Sequence, residues 1–477
     1  MKKQAFNPFL PGWEYIPDGE PHIFGDRVYL YGSHDRFNGD DYCQNDYVCW
    51  SAPVCDISDW HFHGKIYDIK NDPFNENGAF CGYAPDCCQG PDGRYYLYYA
   101  LNNHLAMSVA VCDTPCGEFT FLGHMKTPDG RVYGTDEGDA YVFDPGVMVD
   151  DDGSVHLYMG FSPTDDMAEL TSFLKRWRTD WCCHIELCDD MVTMKTEPLP
   201  IAPGKNVSAG TSFKGHAFFE APSMRKFDNK YYFIYSSEHF HELCYAVSNR
   251  PEGPFEYKGR LVSNGDIGID GGYNPLNHTG NNHGSLIKII DKFYIFYHRH
   301  TNNTPYSRQA CAEEIKMSDD GSFVQAEITS CGLNGSALIA NGEYKAGIAC
   351  NIRTDLSVMP YITQSGVDRE CDDDQYVKDM TDGAYIGFKY FDLKGNERIS
   401  VKMRSDSNGQ IEIRDSIDGD SLCEISVSKC DTVTEFSSLE PLNAVGIKPL
   451  YFTYKGTGKC DFMSFAFLTE RKTDGNS

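Results

Sequence analysis

Glu220 lies in the run H-A-F-F-E-A-P-S (residues 216–223), flanked by Phe218, Phe219 and Ala221. A carboxyl in such surroundings is poorly hydrated, and desolvation favours the neutral acid, so its pKa rises toward what a proton donor needs. A single buried glutamate would be read as half of a structural ion pair. This one belongs to a series. Asp18, Asp86, Asp144, Glu220 and His283 each precede a polar turn and an aromatic strand: D-R-V-Y-L-Y-G-S from Asp26, D-G-R-Y-Y-L-Y-Y from Asp92, D-G-S-V-H-L-Y-M from Asp152, D-N-K-Y-Y-F-I-Y from Asp228 and D-K-F-Y-I-F-Y-H from Asp291. Four of the five ionisable residues stand eight positions before the turn aspartate, and Asp86 stands six before it.

The elements that must position these groups follow from the repeat. Successive turns lie 60 to 76 residues apart, enough for one four-stranded sheet and its loops. Five such sheets predict a five-bladed β-propeller, which brings Asp18, Asp86, Asp144, Glu220 and His283 around one central channel. Like charges crowded there raise one another's pKa values, so a ring of this kind marks a site. From about residue 336 to 470 the pattern changes to short alternating runs, I-S-V-K-M-R (399–404), Q-I-E-I-R-D (410–415) and L-Y-F-T-Y-K-G (450–456), with Gly and Asp turns. These predict a β-sandwich of jelly-roll type. The all-β chain therefore divides into a propeller over residues 1–333 and a sandwich over 336–470, with Gly332 to Gly335 as the boundary.

The 477 residues leave ample core, and a net charge of -28 argues against a nucleic-acid or anionic-membrane partner. A neutral substrate is compatible with it. Thirty tyrosines within an aromatic content of 13% offer stacking surfaces, although propeller strands use most such rings as core. Nineteen cysteines without a disulfide framework or paired zinc-type clusters point to a reducing compartment, and C-D-T-P-C (112–116) reads as a turn. The N-terminal M-K-K-Q-A-F-N-P-F lacks an apolar signal core, and no stretch is long enough to span a bilayer. The expectation is a cytoplasmic protein, with a homo-oligomer left open.

The segment N-P-F-L-P-G-W-E-Y-I-P-D-G-E-P-H-I-F-G-D-R-V-Y-L-Y-G-S-H-D (7–35), with Y-A-P-D (83–86), F-D-P-G-V-M-V-D-D-D-G (143–153), E-A-P-S-M-R-K (220–226), N-H-G-S (282–285) and Y-H-R-H (297–300), resembles glycoside hydrolase family 43. The likeness runs in order over residues 5 to 330. It implies a five-bladed propeller that hydrolyses β-D-xylosides or α-L-arabinofuranosides of short oligosaccharides from the chain end, with inversion. By position, Asp18 matches the general base, Glu220 the general acid and Asp144 the aspartate that tunes the acid's pKa. The family's Asp-Pro at the base is Asp18-Gly19 here, and Glu20, on the same strand face, is the competing base. His283 matches a channel histidine that supports a central calcium or water cluster; a histidine bonded to backbone is the alternative. Arg299 matches an arginine that contacts the terminal sugar, against a surface salt bridge. Asp86 matches a position near the substrate, against a turn cap. A structural calcium is the one metal implied, acting through water because calcium prefers oxygen ligands; no organic cofactor is expected.

The C-terminal region resembles a family 6 carbohydrate-binding module. Such modules stack sugars on an aromatic ring, but the loop that commonly carries Trp reads T-E-F-S-S here, with Phe436, so a structural lid or dimer contact is the competing role. Two other functions stay open. The fructosidase and levansucrase group shares the propeller but carries N-D-P-N, R-D-P and E-C where this chain has P-D-G-E, F-D-P and E-A. A sugar-binding propeller without catalysis would lose at least one of the three carboxylates, and all three are present.

Overall fold

The strands Tyr95–Leu101 and Lys230–Ser237 are buried along almost their whole length, on both faces. A strand buried on both faces must lie between two sheets, and the alternation of its side chains shows which two. Tyr96 and Tyr98 pack in one cluster with Val142, Val147 and Leu157, whereas Leu97 and Tyr99 pack in another with Tyr29, Tyr31 and Tyr47. The aromatic strands of the repeat thus act as partitions, each contributing alternate residues to the cores on its two sides.

In the computed structural model, which describes residues 4–102, 104–164, 167, 174–269, 272–354, 358–369 and 374–468, four antiparallel four-stranded sheets follow one another. Blade 1 holds Glu20–Phe24, Arg27–Tyr31, Tyr47–Pro53 and His61–Tyr67. Blade 2 runs from Asp86–Gln89 to Thr120–His124, blade 3 from Gly146–Val149 to Leu199–Pro203, and blade 4 from Phe218–Phe227 to Glu256–Ser263. Blade 5 has three strands in its sheet, Leu286–Ile289, Lys292–His300 and Arg308–Ile315. Five apolar clusters fill the spaces between blades 1 and 2, 2 and 3, 3 and 4, 4 and 5, and 5 and 1. The last of these closes the ring, joining Val28, Leu30 and Trp50 to Ile287, Tyr294 and Phe296. The N-terminal segment fastens it. Asn7 N donates to Ser330 O at 3.1 Å and Phe9 N to Ala310 O at 3.3 Å, while the Asn7 amide grips Ala312 through both its nitrogen and its oxygen.

The remaining strands form two facing six-stranded sheets. Ile399, Val401, Met403, Ile411 and Ile413 point inward against Phe388, Phe452, Phe462 and Phe465, as strand alternation requires. Phe436 lies within the strand Cys430–Ser437 and packs against this core. This corrects the reading of T-E-F-S-S as a loop: Thr434 to Ser437 belong to the strand.

The sandwich is tied to the propeller through buried polar contacts. Lys389 Nζ lies 2.8 Å from Asp266 and 2.8 Å from Glu327, with the Lys389 and Asp266 side chains 2% and 1% exposed. Asp368 accepts from Phe37 N at 2.7 Å and from the Asn45 amide at 3.2 Å, bracing the loop after blade 1's second strand. Removing one partner of a buried pair strands the other charge and costs about 3–5 kcal/mol. Lys389→Met should accordingly lower the thermal unfolding midpoint by that equivalent, and adding Asp266→Asn should restore part of it. Calorimetry of the two variants checks this; an unchanged midpoint in Lys389→Met would mean the pair contributes nothing to stability.

Candidate active site

Asp18, Asp144, Glu220, His283 and Arg308 line one cavity of about 320 Å³, walled by Tyr42, Tyr83, Phe143, Phe161, Phe219 and Phe240. Backbone geometry aims the acids. Asp18 and Asp144 have φ of 57° and 45°, and Ala221, next to Glu220, has 62°. L-residues seldom adopt this region, and such strained positions concentrate at functional sites. Glu220 also sits between two register breaks in the pairing of Phe218–Phe227 with Lys230–Ser237, and a bulge of this kind re-aims a side chain. Gly146 lets the blade 3 segment come close: a Cβ there would stand 2.3 Å from Pro222 O. This approach puts Asp144 Oδ2 3.2 Å from Ala221 N, which donates to it.

Arg308 is the cation that orders one side of the cavity. Its Nε and Nη2 donate to the two oxygens of Asp35 at 2.9 and 3.0 Å, and its Nη1 donates to Asp18 Oδ1 at 3.0 Å. The Asp18 amide donates to His298 Nδ1 at 3.2 Å, and His298 Nε2 donates to Asn281 O at 2.7 Å. Burial alone, the largest influence on Asp18, would raise its pKa; Arg308, His298 and His283 together overcome it and hold the carboxyl well below the usual range. Asp18 is ionised.

The opposite side behaves in the reverse way. Burial, then the Asp144 charge, pushes Glu220 well above the ordinary carboxyl range, and Asp144 is raised too, mainly by burial, with His283 opposing. The two titrate as a pair, and at neutral pH that pair holds a proton. His283 stands between the groups, with Nδ1 3.7 Å from Asp144 Oδ2 and Nε2 3.6 Å from Glu20 Oε1. Burial lowers its pKa, but Glu20, Asp144 and Asp18 outweigh burial and lift it to about 9. His283 is therefore a buried cation among carboxylates.

Glu20 faces away from the cavity. Its Oε2 accepts from Arg225 at 2.5 Å and from Ser223 at 2.9 Å, which leaves Asp18 as the only one of the two competing bases on the cavity wall. Glu20 Oε1 and His283 Nε2 are buried without a hydrogen bond; at 3.6 Å they face each other as an ion pair, too close to admit a water between them.

Two expected site residues are placed elsewhere. Arg299 alternates with His298 and His300 along its strand, so it points to the other face, where Nη1 donates to Ala349 O at 3.2 Å and Nη2 to Gln309 at 2.9 Å. This corrects the expectation of sugar contact: Arg299 joins propeller to sandwich. Asp86 is wholly buried, accepting from Val147 N at 2.7 Å and from its neighbour Cys87 N at 2.7 Å, with His22 at 2.6 Å. It knits blades 1, 2 and 3 together, while Tyr83 and Ala84 of the same Y-A-P-D run reach the cavity. Sequence reasoning missed Arg308 and Asp35. The signal for Asp35 was present in G-S-H-D, but an arginine at a strand start has no signature of its own.

A family model described as glycosyl hydrolases family 43 matches residues 7–323. A xylosidase/arabinosidase of Thermoclostridium stercorarium is 47% identical, over 98% of this chain and 100% of that relative. Xylosidase/arabinosidase 43A of Humicola insolens is 29% identical, over 65% of this chain and 96% of its own. Among solved structures, an arabinoxylan arabinofuranohydrolase from Bacillus subtilis, in complex with cellotetraose, has a TM-score of 0.52 at 21% identity, covering 98% of this chain and 97% of that one. A β-xylosidase/α-arabinofuranosidase from a compost microbial metagenome, solved with xylotriose in a calcium-free form, has a TM-score of 0.52 at 26% identity, covering 66% and 96%.

After burial, the charge on Asp144 is the next largest influence keeping the shared proton available to Glu220. A proton donor is competent below its pKa and is lost as pH rises through it. Asp144→Asn removes the negative charge, lowers the Glu220 pKa and should move the alkaline limb of the activity profile to lower pH. A pH series of kcat/KM checks this; an unmoved limb with lower activity would assign Asp144 to substrate orientation.

Proposed function

Because the chain belongs to glycosyl hydrolase family 43, we propose that it is an exo-acting, inverting hydrolase that releases xylose or arabinose from xylo- and arabino-oligosaccharides. The observation that carries this reading is the placing of charges in one cavity, with Asp18 3.0 Å from Arg308 on one side and Glu220 beside Asp144 on the other, which holds the first ionised and the second protonated. Cleavage of a glycosidic bond passes through an oxocarbenium-like state and needs one protonated carboxyl and one ionised carboxylate. Glu220 delivers its proton to the departing sugar oxygen. Asp18 takes a proton from the water that attacks the anomeric carbon on the opposite face. A carboxylate as stabilised as Asp18 is a weak base at rest, but it stays ionised across the working range, and transfer to it becomes favourable as the water bonds to a cationic carbon.

Inversion requires room for that water, roughly 6.5–9.5 Å between the carboxyls. The two groups approach from blades 1 and 4, which supports such a gap. A volume of about 320 Å³ is at the small end of ligand pockets, which run from about 300 to 1,000 Å³, and this supports capture of a terminal sugar. The aromatic walls supply apolar faces for the ring. A structural calcium held through water would need His283 neutral, because a protonated ring has no lone pair to accept from a metal-bound water; Glu20 Oε1, without a hydrogen bond, would then face the ion's water shell. When bound it would supply positive charge to the carboxylate ring; no step of the reaction runs through it. Every described cysteine is a free thiol, which supports a cytoplasmic placement.

Nitrophenyl β-D-xyloside and α-L-arabinofuranoside, assayed side by side, test the substrate class, and activity on neither would contradict it. Roles are separated by leaving group. Loss of a positioned acid or base costs about 10² to 10⁴ in rate, but an acid matters only when the departing oxygen is basic. Glu220→Ala should lose most activity on natural disaccharides and keep much of it on a dinitrophenyl glycoside. Asp18→Ala should be crippled on both, and Glu20→Ala should be far milder. An equal loss on both substrates in Glu220→Ala would overturn the acid assignment.

A further inference from the structure

Outside the catalytic ring, His216, His239 and Glu242 each present a ligand atom, all within 4.8 Å of one another. The three come from two neighbouring pieces of blade 4: His216 just before the strand that carries Glu220, and His239 and Glu242 around the turn that opens Glu242–Ser248. A metal here takes the place of a proton, since His216 and Glu242 are hydrogen-bonded to each other, with Arg260 Nη1 3.7 Å from the other Glu242 oxygen. Glu242 is buried, and its Oε1 is held by His216 at 2.6 Å and by Ser237 at 2.5 Å. His216 Nδ1 stands 2.6 Å from Glu242 Oε1, and its ring is stacked at 7° on Tyr257. His239 Nε2 lies 2.9 Å from Gly215 O. A histidine that gives one N–H to a backbone carbonyl has its tautomer fixed, with the other nitrogen free to ligate. Ser237 Oγ, donating to Glu242 Oε1 at 2.5 Å, orients the carboxylate in the same manner.

We propose that His216, His239 and Glu242 form a binding site for a zinc-class divalent transition metal, separate from the catalytic ring. Two imidazoles and one carboxylate suit zinc and its neighbours, whereas calcium and magnesium favour sets made of oxygen. Phe240 links the site to the cavity. Phe240, between His239 and His241, lines the cavity and packs edge-on against Phe219 at 4.6 Å. A metal bridging His216 to His239 clamps the turn that carries Phe240 to the segment that leads into Glu220, fixing the aromatic wall beside the acid.

The test uses the full chain, freed of metal by chelation and titrated with zinc chloride by calorimetry. Free thiols also take up zinc, so the comparison is with variants. His239 is exposed, and His239→Ala should fold normally; it and His216→Gln should each lose one equivalent of bound zinc relative to the unaltered protein. Ser237→Ala should keep that equivalent with about 10- to 100-fold weaker affinity. His22→Ala, which alters the Glu20, His22 and Asp86 group near the ring axis, should keep it unweakened. Equal zinc uptake by the unaltered protein and by both histidine variants, or no uptake by any of them, would overturn the proposal.

Discussion

Arg308 is placed between two carboxylates in the closed interior of the ring, and the arrangement of the site depends on that placement. Its guanidinium spends two donors on Asp35 and turns a third to Asp18. A buried arginine stays charged, and a planar fork fixes where its partners sit. Asp35 absorbs the geometry, so Asp18 gains a positive neighbour without being locked into a bidentate pair. Across the cavity no arginine other than Arg308 is among the residues lining it, and Glu220 is governed by burial and then by the Asp144 charge. One cavity therefore holds an ionised and a protonated carboxyl at the same pH, as acid and base chemistry within one site requires.

His283 makes the crowding of acids tolerable. With Glu20, Asp144 and Asp18 around it, the protonated ring adds its charge to that of Arg225 beside Glu20 and Arg308 beside Asp18, and reaches Asp144 as well. The sandwich contributes at a distance. Its Asp368 braces the loop from Phe37 to Asn45, and that loop carries Tyr42 to the cavity, beneath which Arg308 lies 4.8 Å from the ring. The polar seam of Lys389, Asp266, Arg299 and Gln309 holds the two parts in the relation this requires.

Much of this was legible in the chain because a repeat fixes equivalence without knowledge of contacts. The spacing from acid to turn placed Asp18, Asp144, Glu220 and His283 together, and the aromatic strand in each copy marked one strand of each blade. What it could not give was the direction of individual side chains. Asp86 obeys the repeat but belongs to the copy whose spacing is six instead of eight, and its oxygens are taken up by blade 3 and its own strand. Arg299 lies one residue from His298, and period two sends the pair to opposite faces. Arg308 becomes visible only when the register His300 to Arg308 is known, since nothing local distinguishes it from a surface arginine. Phe436 reads as a loop residue until the strand from Cys430 to Ser437 is seen.

The central claim, that Glu220 is protonated while Asp18 is ionised, can be read directly by infrared difference spectroscopy at neutral pH. Spectra of the unaltered protein minus Glu220→Gln should show the C=O stretch of a neutral carboxylic acid, and the difference with Asp18→Asn should show only a carboxylate band. Glu313, a buried carboxyl raised to about 8, is common to all three proteins and cancels. A neutral-acid band that disappears with Asp18→Asn and survives Glu220→Gln would contradict the account.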